Sequence, residues 1–367
     1  MNKLYLAAGA VGVVVAGTIA YSQMSDVADL SRYADVNIDI GATVPPAVCA
    51  EVADHARLVC LADLLKSGLT PELLTELERP YSLSEAKLWS NFPPMGFSDR
   101  VGPTLGDFSA DQRGLIKALL MEAASMTSNE GYDELEQVLN ADDYLLAAVG
   151  RSGYSSSNYH IAFLGTPAAT GMWQLYFGGH HFALSNTYQD GVMIGATPSF
   201  RGVEPFVPFA QNGRDNAPMV QEQAAFAAMF AALTPDELTR AELAGSFTDI
   251  IAGPQKDDAI PTVQEGLNVG GLTPDQQALV LAAMETYVGD IAASGADAIM
   301  ARYAAELGDT VIGYTVSPAV DAENAYVRID GPSVWIEFSM QPGRSIEGIH
   351  PHSVWRDKTA DYGGVVK

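Results

Sequence analysis

The chain is short of several things, and each shortage excludes a class of function. It has 20 lysines and arginines against 45 aspartates and glutamates in 367 residues, a formal net charge of −25. Nucleic acid and anionic membrane surfaces demand basic patches, so no nucleic-acid partner is expected. Beyond residue 20 no apolar run approaches the ~18 residues of a membrane span. No glycine-rich dinucleotide or phosphate loop opens a helix, because Gly178-Gly179 lies inside a strand pattern. No serine sits in a nucleophile-elbow pattern, which sets serine hydrolysis aside. Cysteine is limited to Cys49 and Cys60, too few and too widely spaced for a cysteine metal site. Histidine occurs six times, few enough for each position to be weighed.

What remains is the composition of a folded globular protein, with 48% hydrophobic and 9% aromatic residues. The length suits one large domain or two ordinary ones. Met1-Asn2-Lys3 precedes an apolar run from Leu4 to about Ala20, with small residues at Thr18 and Ala20. This is a signal-peptide pattern, and the mature chain is expected to begin near Tyr21. A membrane becomes a partner only if that segment stays uncleaved. Export to the periplasm or cell exterior permits a disulfide between Cys49 and Cys60. Ala47 to Leu69 reads as a helix, which would hold the two Cα atoms ~16 Å apart. The bridge therefore requires a break near Cys49, and Pro45-Pro46 supplies a reason for one.

Helix starts punctuate the chain. Thr70-Pro71-Glu72 combines a capping hydroxyl, a first-turn proline and an acid facing the helix dipole. The pattern returns at Thr234-Pro235-Asp236-Glu237 and Thr273-Pro274-Asp275-Gln276, and Ser109-Ala110-Asp111-Gln112 is a fourth case. Gly102, Gly106, Ser109, Asp111 and Gln112 match Gly266, Gly270, Thr273, Asp275 and Gln276 at a constant offset of 164. Similar strand pairs follow: Tyr159-His160-Ile161 and Trp173 to Phe177 in one half, Tyr326 to Ile329 and Trp335 to Phe338 in the other. The expectation is an α+β fold of two duplicated helix-then-antiparallel-strand units packed as one globular body. The units span 70–205 and 232–357, with a linker and N-terminal helix at 21–69, a connector at 206–231 and a tail at 358–367.

Four histidines end the strand regions of these units: His180 and His181 in the first, His350 and His352 in the second. In an extended segment His350 and His352 face one side, ~7 Å apart, and can share an ion. His180 and His181 are expected on opposite faces. Phe182 and Leu184 alternate with His180 and turn it towards the core, so His181 is the favoured third ligand and His180 the reserve. Three imidazoles plus water make an open zinc site, with copper as the alternative ion. Glu337 and Asp357 are candidate catalytic carboxylates, with Asp361 and Glu204 behind them, and Arg356 could orient an anionic substrate. His55 and His160 read as structural. The expected function is metal-dependent hydrolysis of an unidentified small molecule. The alternative is a non-catalytic periplasmic or cell-envelope binding protein whose histidines are structural.

Longer stretches carry a family resemblance. Phe177-Gly178-Gly179-His180-His181, Gly195 to Pro205, Trp335 to Phe338 and His350 through Asp357 to Gly363 resemble domain-of-unknown-function family 3500, as does Leu88-Trp89-Ser90-Asn91-Phe92-Pro93-Pro94. The resemblance implies an exported bacterial protein of shared architecture and supplies no reaction. It is concentrated on the motifs that hold the four histidines and Asp357.

Overall fold

A computed structural model describes residues 43–44, 49–94 and 99–364. The expected signal segment at 1–20 lies outside them, as does most of the linker. In chain order the elements are α1 (Asp54–Ser67), α2 (Pro71–Leu77), β1 (Glu78–Arg79), α3 (Leu83–Ala86), α4 (Ala110–Ala123) and α5 (Gly131–Val149). Then come β2 (His160–Leu164), β3 (Met172–Gly179), β4 (Phe182–Gln189), β5 (Val192–Gly195), β6 (Ser199–Gly202), β7 (Phe209–Gln211) and β8 (Arg214–Asn216). The rest is α6 (Val220–Ala231), α7 (Pro235–Ala241), β9 (Leu267–Asn268), α8 (Pro274–Val288), α9 (Ala293–Ala305), β10 (Val311–Thr315), β11 (Tyr326–Asp330), β12 (Val334–Pro342) and β13 (Ile349–Asp357).

The predicted helix starts are real. Thr70, Ser109, Thr234 and Thr273 cap α2, α4, α7 and α8, each hydroxyl accepting from the backbone N–H three residues on. The first helix differs from expectation. It begins at Asp54, not Ala47, because Cys49 adopts a left-handed φ of +57° and the chain turns there. That break brings the Cys49 and Cys60 Cα atoms to 6.0 Å and closes the disulfide. Protein unfolded without reductant is expected to show no free thiol from this pair. Two reactive thiols per chain would contradict the bridge, whose short loop contributes roughly 2–3 kcal/mol.

One mixed sheet dominates. Its order is β1-β2-β3-β4-β6-β13-β12-β11-β10-β9, with β5 paired to β4, and all neighbours are antiparallel except β1 with β2. Alternation decides what each face meets. Ile161 and Phe163 pack with α1, α4 and α5, while Ile336, Phe338 and Met340 pack with α6 and α8. Their neighbours Ala162, Leu164 and Val354 point the other way, towards Trp89, Val101, Ile250 and Tyr362 in loop segments. Helices thus cover one face and loops the other. The stretch expected as a mere connector holds α6, whose Phe226, Met229 and Phe230 lie in the core.

The sheet order reads outward in the same sense from the β6–β13 pair: β4, β3, β2 on one side and β12, β11, β10 on the other. By that order β3 answers to β11, so the match of the Trp173 strand with the Trp335 strand does not carry over into space. The helix starts keep their constant spacing and the strands do not. No helix of the described residues is long and apolar enough to cross a membrane.

Candidate metal centre

The first pair of histidines is placed by a turn. β3 and β4 are joined by His180 and His181 alone, and their register runs regularly to Gly179 opposite Phe182. Of the two turn residues His181 takes a left-handed φ of +66° and His180 does not, the pattern of a type II turn. The two histidines are therefore not on opposite strand faces, as their adjacency suggested. Their rings stack with centroids 3.6 Å apart. Gly178 and Gly179 stay in regular register, and Tyr159 lies so close that a Cβ on Gly179 would sit 2.7 Å from its ring.

The second pair behaves as expected. His350 and His352 alternate along β13, opposite Gln341 and Ser339 of β12. On the other side His352 faces Gly202 of β6. A Cβ at Gly202 would meet His181 Cδ2 at 2.9 Å and His352 Cδ2 at 3.1 Å, so only glycine leaves room for both rings.

These elements converge three imidazoles. One nitrogen from each of His181, His350 and His352 lies within 4.8 Å of the others. The Nε2 atoms of His352 and His181 are 3.3 Å apart. A tetrahedral ion with bonds of ~2.0–2.1 Å separates its ligand atoms by ~3.3 Å, so this pair is already at ligand spacing. Without metal, a proton on one Nε2 bridges the two. His352 is held from behind, its Nδ1 donating to Asp249 at 3.0 Å. His180 is likewise tied through Nδ1 to Asp142 of α5 at 2.6 Å, and Asp142, His180 and His181 form an overlapping group able to hold an ion. Carboxylates behind histidines fix tautomer and ring orientation. His350 is buried, 1% exposed, and its Nδ1 has no hydrogen-bond partner among the described residues. A buried polar atom left this way costs about 1–3 kcal/mol, which a bound ion relieves if it reaches that nitrogen.

Burial, followed by the neighbouring imidazoles, lowers the His350 pKa to about 3 and holds His181 well below its ordinary value. Both rings are neutral at pH 7, the form that ligates metal. Unfolded histidine titrates near ~6.5, so between that pH and about 3 the unfolded chain takes up a proton that folded His350 refuses. The contribution of these rings to stability therefore falls as the pH drops through that window. Nitrogen NMR of histidine-labelled, metal-free protein at pH 5 is expected to show His350 still neutral. A His350 signal titrating near 6.5 would contradict the buried geometry. Burial raises the Asp142 carboxyl, opposed by His180. Burial acts the same way on Asp249, but the paired His352 outweighs it and the net shift is downward.

The expected catalytic residues are elsewhere engaged. Glu337 accepts from Ile251 N, Ala252 N, Trp335 Nε1 and Tyr326 Oη at 2.6–2.8 Å, which saturates it. Asp357 is bound by Arg302 and by Tyr303 Oη at 2.9 Å. Arg356 is buried against Asp257 at 2.6 Å and Asp361 at 2.7 Å. Glu204 accepts three backbone N–H groups, from Arg344, Ser345 and Ile346, and so anchors the loop entering β13. These contacts tie each of the four side chains into the packed fold. His55 accepts from Trp173 Nε1 at 3.1 Å, and His160 bonds the Gly102 carbonyl at 2.7 Å. Asp142 and Asp249 join the cluster without having been expected there. An acid on the apolar side of α5 was a usable signal for the first; nothing marked the second, in a loop.

The fold and site define an α+β protein, built on one large mixed sheet, with a buried histidine cluster able to hold a metal ion. The chain belongs to the family described as protein of unknown function (DUF3500), whose profile matches residues 51–364. No curated protein and no solved structure matches the chain.

Proposed function

We propose that this is an exported, metal-dependent hydrolase of the zinc type, in which His181, His350 and His352 hold one divalent ion. The observation that carries it is the convergence of three buried imidazoles with one pair at 3.3 Å and its outer nitrogen fixed by Asp249. Neutral imidazoles leave the ion its full charge, which lowers the pKa of a bound water towards ~7. Asp249, bonded to His352 Nδ1 behind the cluster, would orient that ligand and raise its basicity. Copper remains the alternative ion, since imidazole suits both. Export is supported by the N-terminal pattern and by the Cys49–Cys60 disulfide. The outward symmetry of the sheet and the 164-residue spacing of helix starts support an ancestral duplication. Under that duplication the histidine pairs come from non-equivalent places, a hairpin turn and a central strand.

A second reading has one observation in its favour: His181 is 3% and His350 1% exposed, which suits a closed, structural ion in a binding protein. Assays of metal-loaded protein on ester, amide and phosphoester substrates separate the two. Turnover that is abolished by a chelator, restored by zinc and reduced at least ~10-fold in Asp249→Asn supports hydrolysis. Stoichiometric metal with no turnover on any of them supports the structural ion.

A further inference from the structure

β6 divides two buried clusters. Gly202 opens one face to the histidines, and Arg201, its neighbour, points to the opposite face, among α5, α6 and α8. There Arg201 Nε donates to Glu134 at 2.8 Å, and its terminal nitrogens bond Ser199 Oγ and Asp290. Glu134 also accepts from Met219 N at 2.9 Å, and Asp290 Oδ1 accepts from Gly131 N at 2.6 Å. Those two acids are accounted for.

Glu222 is not. It is 0% exposed, and neither of its carboxylate oxygens has a hydrogen-bond partner among the described residues. One oxygen of Glu222 nevertheless lies within 4.8 Å of oxygens from Glu130 and Asp290. Four carboxylates, those of Glu130, Glu134, Glu222 and Asp290, thus share one guanidinium, that of Arg201. Buried negative charge must be neutralised by protons or by a cation. A proton satisfies one oxygen of Glu222 at most, whereas an ion is bound by all three converging groups at once.

We infer that Glu130, Glu222 and Asp290 form a second cation site, distinct from the histidine cluster, for a hard divalent ion of the calcium or manganese class. All-oxygen, multiply charged donors select such ions over zinc or copper. Half-buried Glu130, at the start of α5, is the group nearest solvent and gives the ion its way in. The site stands independently of the proposed hydrolysis.

The test is calorimetric titration and thermal melting of the full chain, stripped by chelator and titrated with calcium or manganese alone. The expected result is one equivalent bound with a raised melting temperature, unchanged by His350→Ala/His352→Ala and weakened at least ~10-fold by Glu222→Gln. Glutamine mimics a protonated acid. If protons neutralise the cluster, neither cation shifts the melt and Glu222→Gln melts like the native chain; that result overturns the proposal. Should Glu222→Gln fail to fold, Glu130→Gln at the rim gives the same readout. Binding that survives in Glu130→Gln also overturns it.

Discussion

Gly202→Ala is expected to weaken zinc binding by ~10–100-fold while leaving the fold in place, the range seen when the groups supporting a metal's ligands are disturbed. The cause is space. The added methyl would stand 2.9 Å from the His181 ring and 3.1 Å from both the His352 ring and the Pro351 carbonyl. The carbonyl belongs to the β13 ladder and does not yield, so the two imidazoles are wedged off their 3.3 Å spacing. Competition with a calibrated chelator reads the affinity. An unchanged value would show that the ion, if bound, does not use this pair.

Arg356→Leu is expected to destabilise the protein by about 3–5 kcal/mol, because it leaves buried carboxylates without their cation. Arg356 is 1% exposed and links Asp257 and Asp361, with the Ala252 carbonyl at 3.0 Å. These bonds tie the 252–257 loop to the end of β13, and the Tyr362 hydroxyl donates to the same Asp257 at 2.8 Å. Denaturant unfolding measures the loss. A change below about 1 kcal/mol, with activity lost, would return Arg356 to the substrate-binding role its sequence position suggested.

The sequence carried the local signals that depend on a few adjacent residues. Capping hydroxyls at Thr70, Ser109, Thr234 and Thr273 need only the N–H three residues on, so they were readable without any tertiary context. His350 and His352 share a face because strand geometry has a period of two. Adjacency alone does not place His180 and His181, because they separate two eight-residue strands and a separation of two residues marks a hairpin. The partners of Glu337, Asp357 and Arg356 include residues distant in sequence: Ile251, Arg302 and Asp257. Pairings of that kind depend on the packed fold and leave no spacing to read. Asp249 lies 103 residues from His352 and reaches it only because the loop covering the sheet folds back over β13.

The central claim is that His181, His350 and His352 hold one divalent ion. Elemental analysis of the chain, purified without a histidine tag, beside its His350→Ala/His352→Ala variant tests it most directly. Close to one zinc or copper per native chain is expected, and almost none in a variant that still folds with its disulfide intact. Full metal content in the folded double variant, or a native chain that stays empty when offered zinc and copper, would contradict it.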